Sequence, residues 1–350
     1  FSLFKPFLPL KEKTLFGYLF KELSTKKYIM VYEKQKSIAE YKANEEFKDV
    51  FVVRFTKELR ETSGGKWFFE IKIQDANGDG MLKYWGSENK AKVEELLNSL
   101  KEDDVIYVEG RVSEYMGKID FSVNEGKLKI LMPEEYDVAD FIRNSDRDTE
   151  EMFTKLKEYM DSVQNLELKQ VLNAFFSNQD FVEKFKKSPA AMYIHHGWVA
   201  GLLEHTLTVT SICVDVSKHH SNLDKDLLIT GAVLHDIGKI EEFKTTTQIK
   251  VTDKGNLLSH MIIGVQELTR VLDKLDIQET TKNKLLHTMI AHHGSVENGC
   301  PKPPMTPEAL IIAKADDLDA QLVTMLDAKN TAQTNDSFIY NKHMGNIYLK

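Results

Sequence analysis

The chain has 350 residues, a formal net charge of −8 and two cysteines. That length buries a substantial core in two domains or one large one, and the charge argues against a surface that binds nucleic acid everywhere while leaving room for a local basic groove. Cys213 and Cys300 lie far apart and outside any CxxC, which excludes a disulfide framework and a thiolate zinc site, and no apolar run reaches the roughly 18 residues of a membrane helix, so no membrane partner is expected.

The opening FSLFKPFLPL is apolar, but Pro6 and Pro9 break it and no small-residue cleavage site follows. A signal peptide is therefore not expected, and a cytoplasmic location is the default. Residues 1–47 mix helix-like and strand-like text and form an extension of no predicted structure. Over 48–133, DVFVVRFTKEL, KWFFEIKIQD and GMLKYWG alternate apolar and polar residues and are separated by SGG and ANGDG, which supply turn glycines. A short amphipathic helix, NKAKVEELLNSLKEDD, follows, and then VIYVEGRVSEY and KIDFSVNEGKLKIL give two more strands. Five strands with a helix between the third and fourth is the order of an OB-fold barrel, although other small β-barrels share the pattern. Residues 134–150, EEYDVADFIRNSDRDTE, are acidic and weakly periodic and read as a linker. Residues 151–350 carry helical spacing nearly throughout, so the fold class is α+β, an OB-like barrel followed by an all-α domain with a C-terminal tail.

All eleven histidines fall in this second half. His205 shares a helix face with Val209, Ile212 and Val216 and points at the core. Alone, such a histidine is more often a core residue bonded to a carbonyl. It is not alone. In DLLITGAVLHDIGK the helix is apolar almost all round, so His235 and Asp236 end a buried element, with Gly238 expected as a left-handed C-cap. A buried aspartate is costly unless paired or metal-bound. His260, the pair His292-His293 and Asp316 each sit in or at the end of an apolar helical segment. Five histidines and two aspartates are enough ligands for two ions, and imidazole with carboxylate suits Mn, Fe, Co, Ni or Zn rather than Ca. Asp317 and Asp319 are alternatives to Asp316, Glu241 and Glu242 read as solvated, and Cys300 reads as a loop residue.

The ordered set His205, His235-Asp236, His260, His292-His293, Asp316 resembles the HD superfamily of metal-dependent phosphohydrolases, in its two-metal form. YIHHGWVAGLLEHT, VLHDIGKIEEF and HHGSVENGCPKPPMTPEALIIAKADDLDA are similar to the YhaM-type 3′-to-5′ exoribonucleases, which also carry an OB-like domain ahead of the HD domain. The resemblance covers roughly 48–330, with Ser259 where a glycine is expected before the third histidine. It implies that His205, His235, Asp236 and Asp316 hold one ion and that Asp236 bridges to a second held by His260, His292 and His293, with Mn the expected metal. Asp236 is then central to catalysis. Lys239, one turn on, reads either as a donor to a phosphate oxygen or as a helix-end lysine. His195 and His196 read either as donors or proton carriers facing the substrate, or as ordinary polar residues at a helix start.

In the barrel, Lys66, Trp67, Phe69, Lys83, Trp85 and Tyr115 are the candidates for stacking bases and following a single-strand backbone. Alternate aromatics must also fill the barrel. Phe68 and Phe69 point to opposite faces, and only one can be exposed. The expected function is metal-dependent 3′-to-5′ hydrolysis of single-stranded RNA, and of single-stranded DNA as well, to nucleoside monophosphates; polarity and product are implied by the resemblance alone. A homo-oligomer that encloses the strand would suit processive degradation. Two other readings compete. One is a cyclic-dinucleotide or nucleotide phosphohydrolase, against which the chain after His293 lacks a Gly-Tyr-Pro signature. The other is a non-catalytic single-strand binder.

Overall fold

A computed structural model describes residues 30–115, 118–192, 196–332, 334, 336–342 and 344–350. Most of the N-terminal extension and His195 lie outside the described residues. The barrel is built from β1 (Glu46–Thr56), the two-residue β2 (Arg60–Glu61), β3 (Trp67–Asp75), β4 (Gly78–Trp85), β5 (Val105–Tyr115) and β6 (Lys118–Ile130), with α1 (Lys90–Ser99) between β4 and β5. β1 pairs antiparallel with both β3 and β5, β5 with β6, β6 in parallel with β4, and β4 with β3. This circuit closes the five long strands into the expected OB-like order, with β2 as an outlying extension of β3. Phe51, Phe69, Ile71, Ile73, Leu82 and Phe121 fill its interior.

Residues 30–45, part of the unplaced extension, pack on the barrel. Their anchor is Asp49, a fully buried carboxylate on β1 that accepts from Lys34 Nζ at 2.8 Å, Tyr41 Oη at 2.7 Å and the Gln35 backbone N–H at 2.9 Å. These donors, with the Lys36 and Val50 backbone N–H groups, make that burial tolerable. The acidic segment after the barrel is also packed. Phe141 and Ile142 are buried, and Arg143 stacks on Trp198 at 4.4 Å while donating to Asp327 at 2.6 Å.

The second half is helical: α2 (Thr149–Ser162), α3 (Leu166–Phe176), α4 (Gln179–Lys187), α5 (Gly201–Ser217), α6 (Lys225–Leu234), the one-turn α7 (Lys239–Glu242), α8 (Asp253–Leu272), α9 (Glu279–Ala291) and α10 (Pro307–Thr331). α6 is buried along nearly its whole length, as its apolar circumference requires. Its neighbours α5, α9 and α10 supply the wall around its C-terminal end. A short hairpin, β7 (Phe243–Thr245) with β8 (Ile249–Val251), interrupts the helices where none was expected, and β9 (Phe338–Asn341) pairs with β10 (Gly345–Tyr348) near the C-terminus. The tip of the β7–β8 hairpin docks on the barrel: Gln248 and Lys250 donate to the Asp103 carboxylate, which also lies 3.5 Å from Arg54.

Candidate metal centre

α6 stops at Leu234, and His235 and Asp236 follow in a tight turn at its end. Gly238 is not the left-handed cap expected of it: its φ is −63°, a right-handed value. It is required by packing instead. A Cβ there would fall 2.0 Å from the His260 carbonyl oxygen and 2.7 Å from the Gly264 nitrogen. Only a glycine lets α8 approach closely enough to bring His260 to Asp236.

The two oxygens of Asp236 serve two groups of ligands. Oδ2 lies 3.4 Å from His205 Nε2 and 3.3 Å from His235 Nε2, and His205 Nε2 is 3.1 Å from Asp316 Oδ1. Oδ1 lies 3.6 Å from both His260 Nε2 and His292 Nε2, and His260 Nε2 is 3.2 Å from His293 Nε2. The expected sets His205, His235, Asp236, Asp316 and His260, His292, His293 thus each come together, meeting at Asp236.

Every imidazole is held by its far nitrogen. Nδ1 of His235 donates to the Ala232 carbonyl at 2.7 Å, that of His292 to Met289 at 2.6 Å, and that of His293 to Asn298 at 3.2 Å. His205 donates to Asp319 Oδ2 at 2.7 Å and His260 to Glu242 Oε2 at 3.0 Å. With Nδ1 as donor in each ring, all five Nε2 lone pairs face the centre, the arrangement that orients and tunes metal ligands.

Two atoms bear on what the centre could hold. Asp236 Oδ1 and His292 Nε2 are buried without a hydrogen-bond partner and face each other across a gap too long for one. A buried acceptor left so costs about 1–3 kcal/mol. A cation between them satisfies both, and imidazole with carboxylate is the donor set of a divalent transition metal. A proton competes with a cation for the Nε2 lone pair of His205. Burial disfavours the charge, but Asp236, Asp316 and Asp319 outweigh it and raise the pKa well above the ordinary histidine range, so the surroundings favour a positive charge at that position and a cation would displace the proton. Asp236 itself stays ionised well below the usual carboxylate range, because Lys239 and the surrounding imidazoles outweigh its burial. In the other group, burial and the neighbouring rings push His292 and His293 down, leaving neutral donors.

Other expectations are corrected by position. Lys239 is buried and donates to Asp236 Oδ2 at 2.6 Å, so its contact is the shared carboxylate rather than open space. His196 is 1% exposed and sits behind His205, with Nε2 donating to Asp319 at 2.8 Å, so it does not face a substrate. Asp319 therefore supports rather than substitutes for Asp316, and Asp317 is exposed. Glu242, expected in solvent, is buried against His260. Both supporting acids had a signal in the sequence: Asp319 lies three residues after Asp316, and Glu242 three after Lys239, each one turn along the same face.

On the barrel, Phe69 is fully buried and stacks on Tyr84 at 5.0 Å, so it belongs to the core and not to a binding face. Phe68 takes the outer position. It pairs across the strands with Trp85, ring centroids 5.1 Å apart, and Trp85 donates from Nε1 to Ser122 at 2.8 Å. Lys83 lies 5.7 Å from the Trp85 ring and 3.6 Å from Glu70. Lys66 is exposed, Trp67 is half-buried against the core beneath Lys90, and Tyr115 ends β5.

Residues 202–321 match the family model of the HD domain, a family of metal-dependent phosphohydrolases. The match spans the segment from the His205 helix through Asp319. Among solved structures, the chain is similar to a domain of replication protein A from Methanococcus maripaludis, with 21% identity over 27% of this chain and 93% of that one and a TM-score of 0.22. It is also similar to a replication factor A related protein from Methanobacterium thermoautotrophicum, at 18% identity over 29% and 93% with a TM-score of 0.24. A third is a small single-stranded DNA-binding protein from Streptomyces coelicolor, at 14% identity over 26% and 97% with a TM-score of 0.21.

Proposed function

We propose that the protein is a metal-dependent 3′-to-5′ exonuclease that hydrolyses single-stranded RNA, and single-stranded DNA as well, to nucleoside monophosphates. The observation that carries the hydrolytic part is the division of Asp236, with one oxygen turned to each of two ligand groups. Two divalent cations, with Mn our choice, supply in such a centre an activated water at neutral pH and charge neutralisation for an in-line displacement at phosphate. His205, His235 and Asp316 with Oδ2, and His260, His292 and His293 with Oδ1, are the residues that would hold them. Lys239 steadies Asp236, the ligand common to both.

The barrel supports a single-strand substrate through its own surface. Phe68 and Trp85 present adjacent aromatic faces, and Arg60, Lys83 and Arg111 lie on the same outer side by strand register. Stacking on such rings is sequence-tolerant and worth about 1–3 kcal/mol per base. Polarity and product rest on the similarity of VLHDIGKIEEF and the paired-histidine segment to YhaM-type enzymes.

Incubation with 3′- and 5′-labelled RNA strands in Mn tests the reading. A 5′ label should pass down a ladder of shorter products while a 3′ label leaves at once as monophosphate, and Asp236→Ala should lose turnover while keeping its circular dichroism. No shortening with Mn, Co, Fe, Ni or Zn would overturn it. Hydrolysis of cyclic dinucleotides with strands untouched would replace it with the nucleotide-hydrolase reading.

A further inference from the structure

Of the five imidazoles in the centre, three are held by backbone carbonyls and two by carboxylates. His205 has Asp319 behind it, in one group, and His260 has Glu242 behind it, in the other. The second arrangement is the more elaborate. Ser259 departs from the helix at φ 58° and ψ 160°, breaking α8 immediately before His260. The break takes the His260 N–H out of the helical ladder, and that N–H donates to Glu242 Oε1 at 3.0 Å. Glu242 therefore grips His260 twice, by backbone and by ring.

Glu242 is itself fixed. Its backbone carbonyl accepts from the Thr252 N–H at 2.8 Å, and Thr252 caps α8 through the Gly255 N–H at 3.0 Å. A Cβ on Gly255 would fall 2.6 Å from that same carbonyl. Chain path, cap and close approach all converge on placing one carboxylate against one imidazole. The strained backbone at Ser259 is what delivers the His260 N–H to Glu242.

We infer that Glu242 is a positioning residue for the second ion: it fixes the ring and tautomer of His260 and so sets how firmly the group His260, His292, His293 retains metal. This rests on the two-ion reading of the centre. Loss of a carboxylate behind a ligating imidazole lowers metal affinity about 10–100-fold. The first group has its own carboxylate in Asp319 and should be indifferent to the change.

Calorimetric titration of Mn into chelator-stripped parent, Glu242→Gln and Glu242→Asp protein tests this, with melting curves to verify folding and imidazole nitrogen NMR to read the His260 tautomer. The parent should take up two ions. Each variant should keep the first within about twofold and bind the second at least tenfold more weakly, with Nδ1 protonation of His260 no longer uniform in Glu242→Gln. Two ions bound with parental affinity by both variants would overturn the inference. A parent that binds one ion or none would instead overturn the two-ion reading on which it stands.

Discussion

Ser259 and Glu204 show how single side chains near the centre carry energy that bears on stability. A non-glycine residue at φ 58° and ψ 160° costs about 1–3 kcal/mol. Ser259→Gly should therefore raise unfolding free energy by about 1 kcal/mol in urea, with metal uptake unchanged; a loss of stability would show that the serine hydroxyl contributes more than its backbone costs. Glu204 anchors the back of the site by accepting from Ser145 Oγ at 2.8 Å and Trp198 Nε1 at 2.9 Å. Burial alone would raise its pKa, but hydrogen bonds from His196, Ser145 and Trp198 bring it down from 4.5 to about 2. A folded value below the unfolded one means that Glu204 stabilises fully above pH 4.5 and that this contribution disappears between pH 4.5 and about 2. Melting temperature should fall across that window, and Glu204→Gln should flatten the fall. Equal slopes in the two proteins would contradict the assignment.

The β7–β8 hairpin ties the two halves together. It leaves α7 immediately after Glu242, and its far end holds the Asp103 turn of the barrel through Gln248 and Lys250. Asp103 has a left-handed φ of 73°. Asp103→Gly keeps that backbone comfortable while deleting the carboxylate, so it isolates the contact. Calorimetry should then resolve the barrel and the helical region into separate transitions where the parent shows one. A single transition at the parental temperature would mean that the hairpin carries no coupling. This element was not legible in the sequence, because FKT and IKV are too short to establish a period of two and lie between stronger helical signals.

At the scale of the molecule, the barrel order was legible because glycine turns punctuate strands with a clean alternation. The same alternation identifies the outward ring. Phe69 shares parity with Ile71 and Ile73, which point inward, and Phe68 shares parity with Glu70 and Lys72. Parity therefore places Phe69 in the core and Phe68 on the outer face, against the expectation that Phe69 contacts bases. The residues that gather around Asp236 were legible because polar residues recur where helix periodicity demands apolar ones. Their supports left only a weak trace, a one-turn spacing from Asp316 and from Lys239. A glutamate that ends a one-turn helix defaults to solvent, and only the fold reveals that the break at Ser259 turns His260 back onto Glu242. Gly238 was recognised as necessary for the wrong reason, since close approach between helices leaves no mark on local backbone preference.

The central claim is that Asp236 is shared by two ions. Anomalous diffraction from crystals soaked in Mn tests it most directly: two peaks should appear, one between Oδ2 and the His205, His235, Asp316 group and one between Oδ1 and the His260, His292, His293 group. One peak or none at full occupancy of the soak would contradict it.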